Sequence, residues 1–182
     1  MAAFYTIGHS NHSTEALLAL LRQAGVELVA DVRSVPKSRF NPQFNTGALA
    51  DVLRGAGVGY RHMPALGGLR GPRKDGLPSP NSFWKEENYR NFADYAATAE
   101  FREALTELRE AGRAQICVIL CAEADWRQCH RQILTDHLLA AGETVMHIGK
   151  DGSVERAAMA ASAVIGANGA ITYPAAQGSL LL

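Results

Sequence analysis

Ile116 to Arg131 reads ICVILCAEADWRQCHR, and the fold turns on how this stretch is read. From Ile116 to Cys121 the residues are apolar with no polar alternation. That is the pattern of a strand buried on both faces, as in a parallel sheet covered by helices. Polar residues begin where such a strand stops: Glu123 and Asp125, then Arg127, Cys129, His130 and Arg131. Open α/β sheets take ligands at the carboxyl ends of their strands, so the stretch predicts a site as well as a strand.

Working outward, the chain repeats the same alternation. Phe4 to Gly8 predicts a short first strand, and the polar run His9 to Thr14 a turn that leads into a helix. Leu17, Leu18, Leu20, Leu21 and Ala24 recur at helical spacing, Ser13 or Thr14 is the expected N-cap, and Gly25 stops the pattern. Val26 to Val32 predicts a second strand, followed by a loop with two prolines and the cations Arg33, Lys37 and Arg39. Thr46 is expected to cap a short helix, and Gly59 to Met63 to form a third strand. Residues 64–81 are dense in Gly and Pro and read as a loop excursion, a candidate flap over the site. Asn88 to Ala97 predicts a helix, and Thr98 should cap another that ends at Gly112.

Beyond the opening stretch, a helix is expected from Trp126 to Ala141, with Cys129 and His130 in its first turn on the inward face. Thr144 to Ile148 predicts the last strand, with His147 near its end. The expectation is a single α/β domain, Rossmann-like over residues 1–148, its mostly parallel sheet carrying helices on both faces. Residues 149–182 read as a weakly patterned C-terminal extension of the same domain, with Ile171 to Pro174 a candidate edge strand.

Bulk properties narrow the partners. The chain has 182 residues, 47% hydrophobic and 20% charged, enough for one core of ordinary composition. Its formal net charge of +0 disfavours a general electrostatic grip on nucleic acid or anionic lipid. Three cysteines without a CxxC pair predict no disulfide framework and point to a reducing, cytoplasmic setting. The start MAAFYTIGHS has no signal-peptide pattern, and Ala157 to Ile171 is too short to span a membrane, so no membrane partner is expected.

Several chemistries compete for the polar cluster. Cys129 beside His130 and Arg131 has the surroundings that lower a thiol pKa, although a buried cysteine more often packs as a small hydrophobe. Cys117, inside the strand, is expected only to pack. Cys121, Cys129 and His130 could ligate a metal, but their spacing fits no standard zinc or iron–sulfur pattern, and no metal ligands are assigned. Cys121 to Arg127 has the C-x5-R spacing of a phosphatase loop; Glu123 and Asp125 inside it would repel a phosphate, which excludes that reading. Glu123, just past a buried strand, is the best acid/base candidate, against a structural ion pair with Arg127 or Arg131.

TIGHSN from Thr6, DVRSVPKSRFNPQFN from Asp31, LGG from Leu66 and CAEADWRQCHR from Cys121 together resemble the domain of unknown function 488 family of small bacterial and archaeal proteins. The likeness extends over about residues 4–148. It implies a Rossmann-like α/β domain and supplies no established reaction.

The strand-end turns would gather their polar residues at one sheet edge. The first expectation is therefore an enzyme, or enzyme-like binder, of a small anionic ligand such as a nucleotide or phosphorylated metabolite. His9, Glu123, Cys129 and His130 are its candidate catalytic residues. Ser10, Asn11, Asp31, Arg33, Ser34, Arg127 and Arg131 are its candidate ligand-binding residues. The alternative is a non-catalytic nucleic-acid-associated or protein-interaction module using the basic loops 33–39 and 70–74, with Phe40, Phe44, Phe83 and Trp84 for stacking.

Overall fold

A computed structural model describes residues 3–175, so residues 176–182 of the expected extension lie outside the described residues. Strand and helix alternate: β1 (Ala3–Gly8), α1 (Thr14–Gln23), β2 (Leu28–Asp31), α2 (Thr46–Gly55), β3 (Gly59–His62), α3 (Glu87–Tyr95) and α4 (Ala99–Ala114). There follow β4 (Cys117–Cys121), α5 (Arg131–Ala140), β5 (Thr144–Ile148), β6 (Val154–Arg156), β7 (Val164–Ile165) and β8 (Ile171–Thr172). The fold is mixed α/β, with a six-stranded sheet in the order β3-β2-β4-β1-β5-β6. The first five strands pair in parallel, and β6 runs antiparallel to β5.

β4 lies inside this sheet, and every residue of it is buried, which is why its sequence carries no polar alternation. Alternate residues of a strand face opposite sides, and those of β4 join different cores. Cys117, Ile119 and Cys121 pack in one cluster with Phe92, Phe101, Leu108, Ile133 and Leu138 of α3, α4 and α5. Val118 and Leu120 pack in another with Leu17, Leu21, Leu49 and Leu53 of α1 and α2.

Helix ends follow their local chemistry. The Ser13 hydroxyl caps α1 by accepting from the Ala16 N–H at 3.1 Å, and Thr98 caps α4 by accepting from the Phe101 N–H at 3.3 Å. Thr46 does not cap α2. Asn45 occupies that position with its side chain turned to the Ser38 N–H at 2.6 Å, and the Thr46 hydroxyl donates to the Pro36 carbonyl. Gly112 does not end α4 either: the helix runs on to Ala114, and Gly112 faces Phe4, whose ring lies 2.1 Å from where a Cβ would stand.

The expected helix from Trp126 begins later, at Arg131. Trp126 to Gln128 form a separate 3-10 turn whose first N–H groups are served by Asp125, and Cys129 is then extended (φ −144°, ψ 148°). Cys129 and His130 therefore stand just ahead of α5 rather than in its first turn, with His130 at the N-cap position. Ile171 and Thr172 pair with β7 in a separate two-stranded sheet, so the edge strand beside β5 is β6. Tyr173 is nonetheless fully buried in the first core cluster and donates to Asp136 of α5 at 2.8 Å.

Candidate functional site

Parallel pairing brings the ends of β1, β2 and β4 to one edge and extends beyond them. The His9 N–H donates to the Cys121 carbonyl and the Ser10 N–H to the Ala122 carbonyl, both at 2.9 Å. This approach needs Gly8, because a Cβ there would lie 1.7 Å from the Glu123 carbonyl oxygen. Ser10 has a positive φ of 45° at the turn that follows.

Two buried polar groups stand at this edge. In the first, Arg33 grips Asp31 with two hydrogen bonds, Nε to Oδ1 at 2.8 Å and Nη2 to Oδ2 at 2.5 Å. Tyr60 donates to the same carboxylate at 2.7 Å, and Arg33 also reaches the Phe44 carbonyl at 2.8 Å. The pair satisfies the cost of burying both charges side by side. Arg33 Nη1 lies 3.2 Å from His9 Nε2, and His9 Nδ1 lies 2.9 Å from the Ser10 carbonyl. The Nδ1–H tautomer satisfies both contacts. Burial, with the Arg33 guanidinium alongside, holds His9 below the usual histidine range.

The second group is built on Cys129. Arg131, 1% exposed, donates from Nε to Cys129 Sγ at 3.3 Å and from Nη2 to the Glu123 carbonyl. His130 Nδ1 lies 3.7 Å from Cys129 Sγ and 3.9 Å from Cys121 Sγ. The Cys121 thiol donates toward Cys129 and, with His130 and Arg131, draws the Cys129 thiol well below its ordinary value despite burial. The same hydrogen bond and burial push Cys121 up. Cys117 is raised to about 12 by burial inside β4. All three cysteines are free.

A cavity of about 310 Å³ opens beside the second group. Of the expected residues it brings together Arg33, Ser34, Glu123, Cys129 and His130. Asp31, His9 and Arg131 stand behind them, in contact with Arg33 or Cys129. Glu123 shows an exposed side chain at the rim; its backbone carbonyl, not its carboxylate, serves Arg131. Ser10 and Asn11 stand apart, with Asn11 exposed and accepting from the Ser10 hydroxyl at 3.4 Å. Arg127 also stands apart, paired with Asp125 and Glu155 and lining a different cavity with His147.

The cavity also uses residues that were not among the candidate site residues. Tyr89, Asn88 and Glu86 reach it from the start of α3, and Gly68 and Leu69 from the Gly/Pro-rich loop. The Ser34 hydroxyl fixes that loop by accepting from the Leu69 N–H at 2.9 Å. An acid at the N-cap and an amide and a tyrosine in the first turn look like ordinary residues of a helix start, so nothing local marks them. In the basic loops, Arg33, Arg70 and Arg73 are engaged within the chain. Arg73 pairs with Asp75, and Arg70 donates to the Gly67 and Pro64 carbonyls while its guanidinium lies 3.7 Å above Tyr95.

Fold and site together define a mixed α/β protein whose candidate site lies where parallel strands end. Residues 13–138 match the family described as "Domain of unknown function DUF488", and the chain belongs to that family. No curated protein and no solved structure matches it. Among the described residues no helix is long and apolar enough to cross a membrane.

Proposed function

We propose that the protein is an enzyme, or enzyme-like binder, of a small anionic ligand held in the cavity at the strand ends. The observation that carries this reading is the meeting of Cys129 with His130 at a cavity wall, His130 Nδ1 3.7 Å from the sulfur and the thiol drawn well below its ordinary value by its donors. Perturbed groups beside a concave pocket are the usual mark of a site. At about 310 Å³ the cavity is at the small end of ligand pockets, which favours a phosphorylated metabolite or a mononucleotide fragment over a dinucleotide. Cys129 and His130 form the reacting centre, with Glu123 as proton donor or acceptor at the rim. Arg33 and Ser34 face the ligand, His9 and Asp31 orient Arg33, and Arg131 orients Cys129; Ser10, Asn11 and Arg127 serve only if the ligand extends past the cavity.

The scaffold in this reading is Rossmann-like with helices on both sheet faces, supported by the division of β4 side chains between two cores. Residues 149–175 belong to the same domain, supported by the burial of Tyr173 against Asp136. A cytoplasmic setting is part of this reading, supported by three cysteines without a disulfide framework.

Thermal-shift measurements with phosphate, mononucleotides and sugar phosphates test the proposal. A ligand at a hundred times its Kd stabilises by about 2.7 kcal/mol, a readily measured shift. Leu69 lines the cavity with its side chain 67% exposed, so Leu69→Trp should abolish the shift and leave the free protein's Tm unchanged. No shift from any of these anions would overturn the reading.

A further inference from the structure

We propose that Cys121, Cys129 and His130 form a zinc site with an open fourth position facing the cavity. This deepens the functional reading above: Cys129 and His130 serve the reacting centre as ligands of the ion that receives the ligand's anion. The three ligand atoms lie within 4.8 Å of one another, and all three residues are buried. A tetrahedral zinc with Zn–S about 2.3 Å and Zn–N about 2.0 Å separates a sulfur and a nitrogen ligand by roughly 3.6 Å. His130 Nδ1 lies 3.7 Å from one sulfur and 3.9 Å from the other. Those separations are long for hydrogen bonds and close to the spacing of ligands around one ion.

The surroundings fit the same assignment. A Cβ on residue 68 would lie 2.6 Å from His130 Nδ1, so Gly68 keeps open the space beside the nitrogen that must bind. Arg131 donates to Cys129 Sγ, the kind of outer contact that orients a thiolate ligand. His130 Nε2 is buried without a hydrogen-bond partner and its ring packs edge-on with Phe92 at 4.9 Å, leaving Nδ1 as the working nitrogen. Two sulfurs and one imidazole suit zinc better than magnesium or calcium, which prefer oxygen. All three residues border the 310 Å³ cavity. Three protein ligands and one open position make a reactive site rather than a closed structural one. The sequence offers these three ligands at a spacing that fits no standard zinc pattern, because the pairing of Cys121 with the Cys129–His130 step depends on the 3-10 turn between them.

The test uses the full chain, treated with chelator and then titrated with Co²⁺ and Zn²⁺. One Co²⁺ per chain should produce thiolate-to-cobalt charge-transfer absorption that Zn²⁺ displaces. Cys129→Ser and Cys121→Ser should each weaken binding at least about 100-fold, since even outer contacts are worth 10- to 100-fold. Those positions are buried, so alkylation of the wild-type protein is followed in parallel by peptide mapping. Zn²⁺ should slow modification of Cys121 and Cys129. Absence of the charge-transfer band, or equal alkylation rates with and without Zn²⁺, overturns the site. Anion-induced thermal shifts measured on chelator-treated and Zn²⁺-loaded protein separate the two readings. A shift indifferent to Zn²⁺ keeps the ligand reading and rejects the metal as its receptor. Co²⁺ binding without any anion shift keeps the metal and rejects the ligand reading.

Discussion

At the scale of single residues, the buried ion pair and the buried histidines dominate. Asp31 is fully buried and satisfied by Arg33 and Tyr60. Asp31→Asn leaves the guanidinium without its counter-charge and should cost about 3–5 kcal/mol, whereas Tyr60→Phe removes one neutral donor and should cost about 1–3 kcal/mol. Urea denaturation of both variants checks the ranking; equal losses would mean that the charge of Asp31 does not matter. His147 makes a different prediction. Burial, with Arg131 nearby, lowers it from 6.5 to about 4, while Nδ1 contacts the Thr6 hydroxyl at 2.7 Å. Between those pH values the unfolded chain binds the extra proton. The stability of the neutral ring is therefore complete above pH 6.5 and lost as pH falls toward 4, by up to about 3 kcal/mol. His137, lowered to about 4 by burial, adds in the same direction. His147→Gln should flatten the fall in unfolding free energy across that window.

At the scale of elements, Gly112 sets helix propensity against packing. Alanine at an ordinary helix interior gains about 1 kcal/mol over glycine. Here its Cβ would meet the Phe4 ring, and overpacking costs about 1–3 kcal/mol. Gly112→Ala should thus lower the denaturation midpoint; a rise would show that Phe4 can move aside. This position also marks a limit of sequence reading. The strands were legible because parallel strands buried on both faces are written as apolar runs, and α4 because its apolar stripe is regular. Gly112 looked like a stop because its partner lies in β1, more than a hundred residues away in the chain. β6 escaped notice because Val154, Glu155 and Arg156 are all exposed and are held by pairing with β5. The start of α5 was misplaced because the Asp125 side chain closes its own short turn. For the site, the residues at the end of β4 were legible as a cluster. Gly68 and Leu69 were legible only as part of a candidate flap, since their loop is aperiodic and long-range ties such as that from Ser34 to the Leu69 N–H fix where it passes; Tyr89 looked like an ordinary residue of the α3 apolar face.

At the scale of the whole molecule, the last described segment closes the core. The Tyr173 hydroxyl donates to the buried Asp136, and its backbone ties to the segment before α3: its N–H donates to the Asn81 side-chain oxygen and its carbonyl accepts from the Phe83 N–H. A chain ending at residue 148 would expose this part of the first cluster and leave Asp136 unpaired. It should lose cooperative unfolding, or fail to accumulate as a folded species, by near-UV circular dichroism. Tyr173→Phe is the gentler probe and should cost about 1–3 kcal/mol through the unsatisfied carboxylate. A stable, cooperative 1–148 fragment would show that the extension is dispensable.

Gly8 has no side chain and does not line the cavity, yet it permits the close pass of the Glu123 carbonyl, which holds Arg131, which in turn holds Cys129. Under the proposed function, a screen that scores residues by lost ligand response would therefore rank this glycine beside the cysteine. The map of sensitivity it produced would trace a relay of supports through the backbone, wider than the set of groups that meet a substrate.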